Sequence, residues 1–121
     1  MRSSIVHIAF AFVAMGSWAA FANRAHPMPA PLHAALIQGV LSAVITLLLK
    51  RGIEELAKRL SGPTALLAPP LIAGLVSASL LTAIHVIAGT PEIGRTIAVP
   101  LTVATSYAAL YNFSLWRNRT V

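Results

Sequence analysis

Charged residues make up only 10% of the 121 residues and hydrophobic ones 57%, so the few polar side chains decide which chemistry is open. There is no Cys, and the acids are limited to Glu54, Glu55 and Glu92. Disulfide frameworks, thiolate zinc sites and cysteine nucleophiles are therefore excluded. Glu92 is the sole acid outside the 50–63 segment, which leaves paired-carboxylate catalysis without a second partner there. The chain has no Walker loop, nucleophile elbow or HExxH motif. It is expected to be no enzyme and to carry no cofactor.

The remaining candidates fall into two groups. His33, Gln38 and His85 lie near one end of two apolar stretches, and His26, Glu92 and Arg95 lie in the adjoining loops. Convergence of these ends would line a small polar pocket able to bind a substrate. The structural reading is a Glu92–Arg95 pair at i,i+3, with the histidines capping or bonding at helix contacts. His26-Pro27-Met28 followed by His33 mixes imidazole and thioether, a weak copper-like pattern. At the opposite end His7 matches Tyr111 and Asn112 in depth, and a His–Asn or His–Tyr hydrogen bond is expected.

The elements that position these groups follow from hydropathy. A soluble domain carries roughly 25% charged residues, and this chain, with mean hydropathy +0.78, falls far short of that. A span needs roughly 20 mostly apolar residues. Four stretches qualify, at about 4–22, 32–49, 66–88 and 97–116, and none contains Asp, Glu, Lys or Arg. A proton-coupled exchanger of the small multidrug resistance type needs a membrane-embedded carboxylate, so that family is set aside. Without water in the bilayer core the backbone must bond within each span, which makes the spans helical. The expected fold is all-α, a single integral-membrane four-helix bundle. Between spans 2 and 3, Ile53, Leu56, Ala57 and Leu60 recur at helical spacing. Glu54–Lys58 and Glu55–Arg59 add i,i+4 pairs. This predicts a short amphipathic cytoplasmic helix, on the membrane surface or extending the second span. Ser61-Gly62-Pro63 should stop it, with Gly as C-terminal cap.

Charge sets orientation. Arg2, Lys50, Arg51, Lys58, Arg59, Arg117 and Arg119 fall on one side of a four-span arrangement, and Arg24 and Arg95 on the other. The positive-inside rule then places both termini in the cytoplasm of a bacterial-type inner membrane. The net charge of +6 reads as orientation plus anionic headgroup contact, not nucleic-acid binding. Arg2, an apolar run and Ala20-Phe21-Ala22 have the pattern of a cleavable leader. The run is long for one, and a retained first span is expected.

Without a hydrophobic drive between helices in lipid, small residues mark contact faces. Gly16 with Ala20, Gly39 with Ser42, Ala43 and Thr46, and Gly74 with Ala78 and Thr82 form such stripes. Ala104 and Ala108 do the same on the fourth span. Pro100 near the start of that span should cost little, and Pro69-Pro70 should open or kink the third.

The run Tyr111-Asn112-Phe113-Ser114-Leu115-Trp116-Arg117-Asn118-Arg119 resembles the end of the fourth helix in GtrA-like proteins, small four-helix membrane proteins. The resemblance covers about ten residues, with matching size and topology. The first helix departs from the family pattern, since Arg2 is followed by Ser3 and Gly16 comes late. The resemblance implies movement of polyprenyl-phosphate-linked sugars, with Asn112, Arg117 and Arg119 near lipid phosphate. Translocation of a lipid-linked or small-molecule substrate is the leading expectation. A bundle this small has little interior volume, so oligomerisation or a larger membrane partner is expected. A non-catalytic accessory subunit is the rival reading, and a haem or copper protein the third.

Overall fold

The computed structural model describes the backbone of residues 2–120 and the side chains of residues 5–118. Its elements are α1 (Arg2–Ala22), α2 (Ala30–Arg59), α3 (Gly62–Ala88) and α4 (Ile93–Thr120). Pro31 and Pro63 stand in the first turns of α2 and α3, where the missing N–H would have had no partner. Lys58 and Arg59 close α2, cations against the negative end of the helix dipole. Gly89 ends α3 at φ 75°, its N–H bonded to the carbonyls of His85 and Val86. Only a residue without Cβ takes that left-handed turn at no steric cost.

One local expectation is narrowed and one corrected. Of the two readings of the 50–63 segment, the structure shows the extension: the 50–59 segment is the last third of an unbroken α2 and not a separate helix. Its heptad-like apolar spacing continues that of the second apolar stretch, so nothing in the chain breaks the hydrogen-bond ladder there. Gly62 does not cap α2. Leu60 does so in extended conformation, its N–H bonded to the Leu56 carbonyl, and Gly62 at φ 65° leads into α3 instead.

α2 and α4 form the short diagonal of the bundle. Each packs on the other and on both outer helices, while α1 and α3 do not meet among the described residues. Gly16 and Gly39 face one another across α1–α2. A Cβ on Gly16 would come within 2.9 Å of the Ala35 carbonyl oxygen, and one on Gly39 within 3.2 Å of the Phe12 ring. Gly74 faces the Thr105 side chain of α4 at 3.5 Å. The apolar core of Ile45, Leu49, Ile53, Ala73, Leu81 and Ala108 lies between α2, α3 and α4.

The polarity of the bundle is inverted relative to a water-soluble protein. Asn23, Gln38, His85, Thr96 and Asn112 are buried, while Phe10 (72%), Leu75 (71%), Ile87 (82%) and Leu110 (72%) are exposed. Among the described residues α1, α2 and α3 are long and apolar enough to cross a membrane. α4 spans 28 residues, but Thr102, Thr105, Ser106, Tyr107, Tyr111 and Asn112 dilute its apolar character.

Candidate functional site

The end of the bundle bearing the 23–29 and 89–92 loops is tied by two polar networks. The first begins at Asn23, placed at the end of α1 by its amide bond to the Ala19 carbonyl. The same amide donates to Thr96 Oγ1 at 2.8 Å, and its oxygen accepts the Glu92 N–H at 3.0 Å. Thr96 in turn donates to the Glu92 carbonyl. The Glu92 carboxylate meets His26 Nε2 at 2.8 Å, and Trp18 Nε1 donates to the Arg95 carbonyl. The bonds of Asn23 to Thr96 and Glu92, of His26 to Glu92 and of Trp18 to Arg95 join the end of α1 or its loop to the start of α4.

The second network is buried. His85 Nε2 lies 2.8 Å from Gln38 Oε1 and its Nδ1 lies 2.7 Å from Thr90 Oγ1. Gln38 Nε2 donates to Ser42 Oγ at 2.7 Å. A Gln oxygen only accepts, so the ring carries its proton on Nε2 and accepts the Thr90 hydroxyl proton on Nδ1. Each polar side chain of this network therefore has a partner, as a low-dielectric interior requires.

Of the residues expected to gather here, Gln38 and His85 bond directly. Glu92 joins His26 and not Arg95 at i,i+3, which corrects that pairing. Loop geometry brings the imidazole to it, while the Arg95 charge only lies near. The carboxyl of Glu92 is held below its ordinary value of 4.5, first by the hydrogen bond from His26. The charges of His26 and Arg95 add to this, and desolvation opposes it. His33 is exposed on the first turn of α2 and stands apart. Met28 is exposed too, and among the described residues no three His, Cys, Asp or Glu side chains group as metal ligands.

At the other end the expected bonds to His7 give way to other partners. Tyr111 donates to Glu54 Oε2, which also replaces the expected Glu54–Lys58 pair. Glu55 instead holds Arg59 at 2.9 Å and Lys58 at 3.9 Å. Asn112 Nδ2 donates to the carbonyls of Ala65 and Leu66, both at 2.9 Å. The reason is local. Those carbonyls would normally bond to the N–H groups four residues on, but Pro69 and Pro70 stand there and have none. One side-chain amide with two N–H groups fills both places. Pro69-Pro70 therefore lie inside α3 without breaking it. Pro100 is also inside its helix, about two turns into α4, deeper than the start where a missing N–H costs little. Arg117 is exposed at this end, and the side chain of Arg119 lies outside the described residues.

Between α1 and α4 a cavity of about 180 Å³ opens sideways. Phe10, Met15, Leu49, Leu81 and Val103 line it, and Ser42 and Thr46 of α2 supply polar groups on its wall. Gln38, Ser42, Thr46, Lys50 and Glu54 follow one another at intervals of four residues, a polar ridge winding along α2. That spacing was present in the sequence but is masked there by the apolar residues between. No family model, curated protein or solved structure matches the chain.

Proposed function

We propose that the chain crosses a bacterial-type inner membrane four times, with both termini cytoplasmic, and moves a lipid-linked substrate between leaflets. The single observation that carries this reading is the polar ridge bordering a laterally open, otherwise apolar cleft. A lipid-linked substrate has a polar head that lipid rejects and a hydrocarbon chain that water rejects. A cleft open to the bilayer lets the chain stay in hydrocarbon while the head follows Lys50, Thr46, Ser42 and Gln38 along α2. The exposed aliphatic belt fits a lipid surrounding, and the buried polar groups fit a bundle whose interior is its only polar refuge. The resemblance of residues 111–119 to GtrA-like proteins points the same way.

Size limits the mechanism. A cavity of about 180 Å³ is below the roughly 300–1,000 Å³ of pockets that enclose drug-sized ligands. A glycan head does not fit, so α1 must swing from α4 or a second copy must complete the path. Among the described residues the hydrogen bonds joining α1 to α4 all lie at the loop end, so a swing of α1 would have to pivot on its close seam with α2.

The test is head-group translocation of a fluorescent glycolipid in proteoliposomes. The intact chain should accelerate it over protein-free vesicles, and Ser42→Leu with Thr46→Leu should slow it at least tenfold. Equal rates with and without the protein would refute transport.

A further inference from the structure

Toward the termini end the cleft adjoins a small pocket whose lining includes His7, Thr46, Lys50 and Tyr107. His7, Thr46 and Tyr107 belong to the walls of both, so the two lie side by side. The cavity is almost wholly apolar, and the pocket is a space of about 10 Å³ bordered by Ile8 and Leu47 as well as by His7, Thr46, Lys50 and Tyr107, enough for one oxygen-sized group. His7 makes no hydrogen bond among the described residues. Lys50 is half-buried, one turn from Glu54. Arg51, Lys58, Arg59 and Arg117 surround this end of the molecule, so its field favours an anion.

An apolar slot that ends in a cationic pocket describes one kind of occupant, an amphiphile with a hydrocarbon chain and an anionic head. We infer that the α1–α4 cleft holds one hydrocarbon chain of a phosphate-headed lipid of the surrounding bilayer, with a phosphate oxygen among His7, Lys50 and Tyr107. Lys50 supplies the charge. His7 and Tyr107 supply directional donors, and Phe10, Met15 and Val103 flank the chain. The inference rests on the membrane-spanning reading and gives the translocation path its entry point at the termini end.

The test uses the full chain in detergent, supplied with phosphatidylglycerol or with diacylglycerol, and native mass spectrometry to count retained lipid. One phosphatidylglycerol per chain should be retained in preference to diacylglycerol. Lys50→Met should weaken retention about fivefold, and Tyr107→Phe should weaken it with helix content unchanged by circular dichroism. Ala104→Phe, which fills the cavity wall without touching the pocket, should displace the lipid. Equal retention of the two lipids overturns the phosphate site. Retention indifferent to Lys50→Met, Tyr107→Phe and Ala104→Phe overturns its location. Preferential retention without translocation in vesicles leaves the site standing and removes the transport reading. Translocation without retention removes the site alone.

Discussion

Asn112 shows how one side chain can make a sequence conflict tolerable. Two prolines in the second turn of α3 leave the Ala65 and Leu66 carbonyls without backbone partners, and the Asn112 amide serves both. Asn112→Ala should therefore destabilise the bundle by about 2 kcal/mol, since each orphaned acceptor costs about 1–3 kcal/mol. An unfolding titration in mixed micelles would measure the loss. Replacing Pro69 and Pro70 by Ala restores two N–H groups to the helix, and should recover most of that loss in the Asn112→Ala background while doing little alone. If the loss persists, Asn112 acts through something other than the proline gap. The functional expectation drawn from the GtrA-like resemblance, with Asn112 near lipid phosphate, gives no role to the prolines, so the rescue separates the two. Glu92 has an equally local role. Its folded value lies below 4.5, so its contribution to stability is present above 4.5 and is lost as pH falls through the lower folded value. The Tm of the intact chain should exceed that of Glu92→Gln at pH 7, and the two should converge in acid. Curves that stay parallel would remove this role of the Glu92–His26 pair.

At the scale of elements, the glycines grade the helix contacts. Gly16→Ala would drive a Cβ to 2.9 Å from a backbone oxygen of α2, which cannot move aside without moving the helix. A cost of about 1–3 kcal/mol is expected. Gly74→Ala would make an ordinary contact with the Thr105 side chain at 3.5 Å and should be nearly neutral. The same unfolding titration orders the pair, and the reverse order would mean the α1–α2 seam is misplaced. Because these glycines face inward, Gly39→Leu or Gly74→Leu should unsettle the bundle itself, not only a partner's docking.

Much of this level was legible from residue type alone. Apolar runs marked the helices, Ser61-Gly62-Pro63 the break between the second and the third, and small residues their seams. The depths of Gln38 and His85 suggested a shared level, and the structure joins them directly. What the chain did not reveal depends on helix rotation and loop path. Periodicity gives depth but not the azimuth at which His7 would meet Tyr111, and Glu54 took that hydroxyl instead. The Glu92–His26 pair depends on two loops folding toward each other, while local spacing favoured Arg95. Asn23 drew no notice because a lone Asn after a helix reads as a stop. Only the arrival of Thr96 and the Glu92 N–H makes it the centre of a network.

At the scale of the whole molecule, the buried polar and exposed apolar side chains fit the proposed hydrocarbon surroundings. α4 is the element on which the four-span reading depends, because its polar residues dilute the apolar run that α1, α2 and α3 possess. Of these, Tyr111 and Asn112 bond to Glu54 and the α3 carbonyls, and the exposed Thr102 returns its hydroxyl to the Ala98 carbonyl of its own helix, which lowers the cost of placing α4 in lipid. The chain has no native cysteine, which makes side-specific labelling straightforward. The most direct measurement is the reaction of single cysteines at Ala25, Ser61, Gly94 and Asn118 with a membrane-impermeant maleimide in intact spheroplasts. Residues 25 and 94 should label from outside, and 61 and 118 only after the membrane is permeabilised. Labelling of 118 together with 94 from the same side of an intact membrane would mean that α4 does not cross, and the polar ridge would then have no bilayer to traverse.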